Sequence, residues 1–311
     1  EKKFLTYDQQ IEKLQNEKQL TISDVSAAIH TLEHISYYSL IGGYKNLFKH
    51  KPSGKYLYGV TFEEIVAFYY FDEGLRTLFL KYLLHVERHL KSLISYHFCE
   101  KFGENQAEYL NPANFNSAKK NQKAVGRLFH SMQNCISMPS HYNYISHYSK
   151  VYGTVPLWVA MNAVTFGQLS AFYQYMPNDV QVKVSKHFPG YTEKQLHQFI
   201  TIIAKCRNVC AHGERLYDFR TQDTIPDTLL HQKLSIPLKK GSYTLGKHDL
   251  FAVVLSLRYL INNDDFKSFK RSLIQLIKRV LKQCPHLTQA QLLKQMGFPE
   301  NWEKICRYKI Y

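Results

Sequence analysis

Apolar residues recur at three- and four-residue steps along nearly the whole of this chain, and that periodicity restricts it to helices packed against one another. Val25, Ile29, Leu32 and Ile35 mark a helix in the run 21–48, opened by Thr21 or Ser23 and ended at Gly42-Gly43. Thr61 followed by Glu64 has the spacing of a capping box, and predicts a helix start just before Ile65, Phe68, Tyr69 and Phe71. A second long amphipathic helix is expected over 75–98, where Leu78, Tyr82, Val86, Leu90, Leu93 and His97 share one face. Further helices are expected over 119–132, over 156–176 as a buried helix bearing Trp158, and over 192–211, capped by Thr192 and stopped by Gly213. Helices resume over 248–261, 266–284 and 288–296. Between Asn105 and Asn143 the composition turns polar, and a loop is expected to end near Pro139. Residues 235–238 and 243–245, joined through Lys239-Lys240-Gly241-Ser242, are spaced for one short hairpin. The expected fold class is all-α with at most that one β element.

Charge narrows the partners. Forty Lys and Arg against 25 Asp and Glu leave a formal charge of +15 on 311 residues, which suits a polyanion. No apolar run approaches the roughly 20 residues that cross a bilayer. No polybasic cluster stands beside an amphipathic anchor either, so a membrane partner is not expected. The chain begins at Glu1 rather than methionine, so leading residues are expected upstream, and EKKFLTYDQQ lacks the apolar core of a signal peptide. Six cysteines without a Cys-x-x-Cys pair read as reduced thiols of a cytoplasmic protein.

Glycine-rich phosphate loops, His-Glu-x-x-His, nucleophile elbows and kinase signatures are all missing, which removes the enzyme classes that depend on them. What remains is Arg207-Asn208-Val209-Cys210-Ala211-His212-Gly213, followed by Glu214-Arg215-Leu216-Tyr217. Spacing alone is weak: ten arginines and fifteen histidines produce one or two Arg-x(4–6)-His matches by chance. Two occur, and the second, Arg279/His286, is interrupted by Pro285 and reads as noise. At the first, Gly213 predicts that the helix unwinds at His212 and frees the imidazole. The negative helix end favours the imidazolium and a neighbouring guanidinium opposes it, so His212 is expected to exchange a proton near neutrality. A guanidinium also fits phosphate oxygens bidentately. Cleavage of RNA without a metal needs little more, because the 2′-hydroxyl supplies the nucleophile and the protein supplies a proton shuttle and a cation.

Other clusters have plainer readings beside functional ones. Cys206 and Cys210 fall on one helical face with His212 close in sequence; buried core thiols are favoured over zinc ligands, and no metal is expected. Asp72 and Arg76 read as an i,i+4 ion pair. Lys45, Lys49, Lys51 and Lys55 lie among Tyr44, Phe48, Tyr56 and Tyr58. That pattern suits single-stranded RNA, with Tyr56 and Tyr58 stacking on bases, and equally suits a solvated loop with core tyrosines. Lys119, Lys120, Lys123 and Arg127 read as a solvated face.

Arg-Asn-x-x-Ala-His followed by Arg-Leu-Tyr resembles the RNase motif of HEPN domains, in the form found in abortive-infection (Abi) proteins of the AbiD/AbiF kind. The resemblance extends to Ile35-Ser36-Tyr37-Tyr38-Ser39-Leu40-Ile41-Gly42-Gly43-Tyr44, to Phe71-Asp72-x-x-Leu75-Arg76 and to Val86-Glu87-x-x-Leu90-Lys91. It continues through Val155-Pro156-Leu157-Trp158, Gly167-Gln168-Leu169-Ser170 and Met296-Gly297-Phe298-Pro299-x-Asn301-Trp302. It implies a HEPN-like helical bundle over 59–220, with the polar insertion near 105–143, flanked by helical segments 1–58 and 221–311. It also implies Arg207 and His212 as the catalytic pair, Asn208 as an organiser, Glu87 as a supporting residue and Arg215 as an RNA contact. No cofactor is implied. A homodimer is, because such nucleases commonly set two motifs face to face, and RNA is implied as substrate and as a structured small partner. Three functions stay open on the sequence: a metal-independent endoribonuclease leaving 2′,3′-cyclic phosphate and 5′-hydroxyl ends, a non-catalytic protein that holds a small RNA, and a helical adaptor for an acidic protein.

Overall fold

The computed structural model describes residues 3–116, 118–137 and 142–310. The described chain is all-α apart from one two-stranded ribbon. Its helices are α1 (Tyr7–Glu12), α2 (Val25–His34), α3 (Phe62–Phe102), α4 (Gln106–Tyr109), α5 (Gln122–Ser137), α6 (Asn143–Tyr152), α7 (Leu157–Ala163), α8 (Phe166–Tyr175), α9 (Asn178–Ser185), α10 (Glu193–Ala211), α11 (Leu229–Lys233), α12 (Leu250–Leu260), α13 (Asn263–Gln283) and α14 (Gln289–Met296). Strands β1 (Leu238–Lys239) and β2 (Ser242–Tyr243) form the hairpin, turned by Lys240 and Gly241, both at positive φ. No described helix is long and apolar enough to cross a membrane.

The organising element is α3, 41 residues long and capped as expected by the reciprocal Thr61–Glu64 box. Ile65, Phe68, Leu75, Phe79, Leu83, Leu90, Ile94 and Phe98 along it are fully buried, because α13, α10, α7 and α9 pack around it. The segment capped by Thr61 and the second helix expected over 75–98 are one continuous helix, which runs through Gly74. A mid-helix glycine costs about 1 kcal/mol relative to alanine, too little to break a helix buried on this scale. The glycine serves packing instead: a β-carbon there would lie 3.0 Å from Leu276 Cδ2 of α13. Helix α10 packs in turn against α3, α8, α9 and α12, and α12 is buried at every position. Buried apolar residues from Ile11 to Ile305 form a single cluster.

Three other boundaries differ from the periodicity. The run 21–48 contains only the ten-residue α2, capped by Asp24, because Thr21 is drawn into backbone pairing with the strand entering α3: its N–H donates to Val60 O (3.0 Å) and its carbonyl accepts from Phe62 N (2.9 Å). The rest is a π-helical turn (Tyr38–Gly42) and a 3-10 turn (Lys45–Phe48), so Gly42-Gly43 bends the chain rather than ending a helix. The stretch 156–176 is two helices, since Val164 is extended and Thr165 caps α8 with Gln168. Trp158 stands half exposed on α7 rather than buried. The polar stretch carries α5, whose Val125, Leu128, Met132 and Ile136 face inward while Lys119, Lys120, Lys123 and Arg127 are exposed. The loop end expected near Pro139 lies outside the described residues.

Candidate functional site

The motif occupies the last turn of α10. Cys206 and Cys210 point inward; burial pushes the Cys206 thiol up, with Cys210 beside it adding to the shift. Arg207 and Val209 are half-buried, while Asn208, Ala211 and His212 are exposed. The helix ends in a Schellman motif: Glu214 N–H donates to Val209 O (3.0 Å), Gly213 N–H faces Cys210 O (3.4 Å), and Gly213 takes φ +70°. Only glycine adopts that conformation without strain. His212 is left as the cap residue, its own N–H donating to Asn208 O at 2.9 Å. Among the described residues no side chain hydrogen-bonds its imidazole or the Asn208 amide.

Arg207 faces inward. Its Nε donates to Glu87 Oε2 of α3 at 3.2 Å, and the other Glu87 oxygen is held by Lys91 Nζ at 3.0 Å. Lys91 Nζ also donates to the Val164 carbonyl (2.7 Å), the acceptor freed where α7 and α8 part. Glu87 is buried, so α10, α3 and the α7–α8 junction meet through one carboxylate. The two terminal amino groups of Arg207 hydrogen-bond to no described residue. The C-terminal end of α10 thus meets the middle of α3 through Arg207 and Glu87, with the guanidinium anchored by its inner nitrogen and its outer fork free. Lys91 escaped the candidate set; its i,i+4 spacing from Glu87 was the signal available.

A second buried carboxylate fixes the chain that leaves α10. Asp72, fully buried, accepts from Leu216 N–H (3.1 Å), Tyr217 N–H (2.6 Å), Tyr44 O–H (2.8 Å) and Arg76 Nη1 (2.7 Å). Burial raises its pKa, opposed by Tyr44, Arg76 and the two amides. The expected Asp72–Arg76 pair is thus also the clamp on the loop after the motif. Gly43 O receives Arg215 Nη1 (2.9 Å) and Tyr217 O–H (3.1 Å), which draws the Tyr38–Tyr44 turn onto the same loop. Between turn and loop lies a groove of about 490 Å³, lined by Tyr38, Gly43, Tyr69, Gly213, Arg215 and Arg220. Arg215 is in that groove and partly exposed.

The basic loop divides. Lys45 and Lys49 are half-buried, Lys51 and Lys55 exposed, and Tyr58 fully exposed. Tyr56 is a correction: it is 4% exposed, packed in the core with Lys49 Nζ 4.6 Å above its ring, and has no free face for a base. Tyr44 and Phe48 are core residues as well. His286, set aside with Arg279, binds Glu64 Oε1 through Nδ1 at 2.7 Å and serves the cap of α3.

The arrangement is that of a helical protein with an exposed Arg-x4-His helix end braced by two buried carboxylates. A family model for Abi-like proteins matches residues 30–218, more than half of the chain, and the chain belongs to that family. The matched span contains Tyr44, Asp72, Glu87, Arg207, His212 and Tyr217, and membership supports a role in abortive infection. Comparison with curated proteins and with solved structures returns no match.

Proposed function

We propose that this chain acts on RNA in abortive infection, as a metal-independent endoribonuclease of the HEPN type. The observation that carries the reading is the end of α10: an exposed imidazole without a protein partner among the described residues, and five residues earlier a guanidinium tied down at Nε with its amino groups free. In this reading His212 takes the proton from a 2′-hydroxyl, whose oxygen attacks the adjacent phosphorus. Arg207 holds the non-bridging oxygens as charge develops on them. The bond to the 5′-oxygen breaks, leaving a 2′,3′-cyclic phosphate and a 5′-hydroxyl. Asn208, exposed beside the pair, orients the strand. The leaving oxygen needs a proton from a second donor, which a facing copy of the motif in a homodimer supplies.

The test is cleavage of end-labelled RNA by the purified chain in excess EDTA, beside His212→Ala. Cleavage with cyclic-phosphate ends, lost in the variant, is the expected result. Salt-steep RNA binding by both proteins without cleavage favours a protein that only holds RNA, and no RNA affinity at moderate salt removes both. Sedimentation as a monomer under conditions where cleavage proceeds would remove the composite dimer centre.

A further inference from the structure

A basic groove of about 760 Å³ lies near the groove beside Gly213. One wall is the 45–51 segment, carrying Lys45, Lys49, His50 and Lys51; the other is α14, carrying Lys294 and Gln291. No acidic residue lines it, and among the described residues none of its four ammonium groups has a carboxylate partner. The walls are fixed: Tyr56 N–H donates to Lys18 O and Leu57 N–H to Phe48 O, both at 2.9 Å, while α14 is capped by the Thr288–Gln291 box. Gln291, Lys294 and Gln295 lie at i, i+3 and i+4, on the face opposite buried Leu292, Leu293 and Met296.

The two grooves are neighbours. Arg220, which lines the groove beside Gly213, donates through Nη2 to the Gln295 carbonyl (2.9 Å), and Gln295 lines the lysine groove. On the other wall Tyr44 lines the first groove and Lys45 the second. The groove beside Gly213 is of mixed charge, with Glu214 and Asp218 beside Arg215 and Arg220 and Arg215 Nη1 3.7 Å from Asp218 Oδ2, so the unopposed positive charge is that of the lysine groove next to it. α14 lies outside the family-matched span, so this wall is not part of what that match describes.

We infer that the lysine groove is an exosite for the phosphodiester backbone of a single RNA strand whose neighbouring nucleotides reach the end of α10. Like charges gathered in a cleft with no counter-charge repel one another, and a cleft lined with one sign concentrates its field on a polyanion. Lys49 registers that crowding: burial first, then Lys45 and Lys18, lower its ammonium pKa to about 8. Lysine and amide side chains are the usual partners of phosphate and sugar. The surface is concave and its one apolar lining residue, Leu47, is half-buried, whereas a lipid surface needs an exposed apolar anchor. The identity of the ligand rests on the RNA reading above; the charge of the lysine groove does not depend on cleavage.

The test is fluorescence anisotropy with a labelled 20-nucleotide 2′-O-methyl RNA, which has no free 2′-hydroxyl to attack. The wild type is compared with Lys45→Gln/Lys49→Gln/Lys294→Gln and with a control of equal charge loss, Lys186→Gln/Lys278→Gln/Lys282→Gln. Single strands lose roughly 0.7 in salt slope for each phosphate contact removed, or about 5-fold in affinity at 0.1 M salt. The groove variant is expected to lose about 2 from the slope and roughly 100-fold in affinity, with its melting temperature held or raised, while the control stays within about 2-fold. Equal affinities for groove variant and wild type would overturn the inference. So would wild-type capture by phosphatidylserine vesicles in preference to RNA. Loss of cleavage in the wild type with groove-dependent binding retained would sink the nuclease reading alone.

Discussion

Glu87 offers the sharpest test of how the site is built, because one buried carboxylate serves two cations. Its side chain is 7% exposed, against 14% for Lys91 and 26% for Arg207. Removing one member of a fully buried pair costs about 3–5 kcal/mol. Two features reduce that for Glu87→Ala: Arg207 reaches solvent, and Lys91 keeps the Val164 carbonyl. An expectation of about 2–3 kcal/mol follows. With an unfolding entropy of about 2.1 cal/mol/K per residue, 311 residues give roughly 0.65 kcal/mol/K, so the melting temperature should fall by about 3–5 °C. A thermodynamic cycle isolates the contact. Glu87→Gln and Arg207→Met each lose stability, and the double variant should recover about 1 kcal/mol relative to their sum, since either single change already removes the Glu87–Arg207 contact. The same proteins enter the cleavage assay: if Glu87 works by positioning the guanidinium, Glu87→Gln lowers kcat in the wild-type background and adds little once Arg207 is gone. Single effects that add within about 0.3 kcal/mol, with independent losses of rate, would refute the bracing argument.

Asp72→Ala should be harsher, because it strands Arg76, the Tyr44 hydroxyl and two backbone amides at once. About 4 kcal/mol or more is expected, a fall of roughly 6 °C on the same entropy in a calorimetric scan, and a change under about 2 °C would contradict the clamp. His231 supplies a pH signature. It is fully buried, its Nδ1 accepting from Thr228 N–H (3.1 Å) and its Nε2 facing Gly246 O (3.0 Å), and burial lowers its pKa. The unfolded chain therefore takes up this proton first, starting near its ordinary value of about 6.5, so the stability contributed by neutral His231 is present at pH 7 and above and is lost as pH falls below that. The stability curves of wild type and His231→Gln should converge between pH 7 and pH 5 in denaturant titrations, and parallel curves would exclude the linkage.

Helix class, most helix positions and the caps at Thr61 and Thr192 were legible because each is a local matter of periodicity and a few backbone donors. The Schellman end at Gly213 was legible for the same reason. That α3 runs unbroken through Gly74 was not legible, because the approach of Leu276 to that glycine is a tertiary contact. Thr21 misled likewise, its backbone being taken by Val60 and Phe62, some forty residues away. At the site, the residue types of the pair and of Glu87 could be read, but not which atom of Arg207 is occupied. Tyr56 and Tyr58 are two residues apart and identical in type; only packing separates a core ring from an exposed one.

What the sequence determines by itself is an all-α, strongly basic chain with one Arg-x4-His helix end, since periodicity, charge and a terminal glycine are properties of the chain before it packs. The tertiary structure alone decides that Glu87 braces Arg207, that Asp72 clamps the outgoing loop, and that Arg220 ties that loop to α14 beside the lysine groove. These contacts join residues 70 to more than 140 positions apart, and their strength comes from burial, which exists only once the helices have excluded water between them.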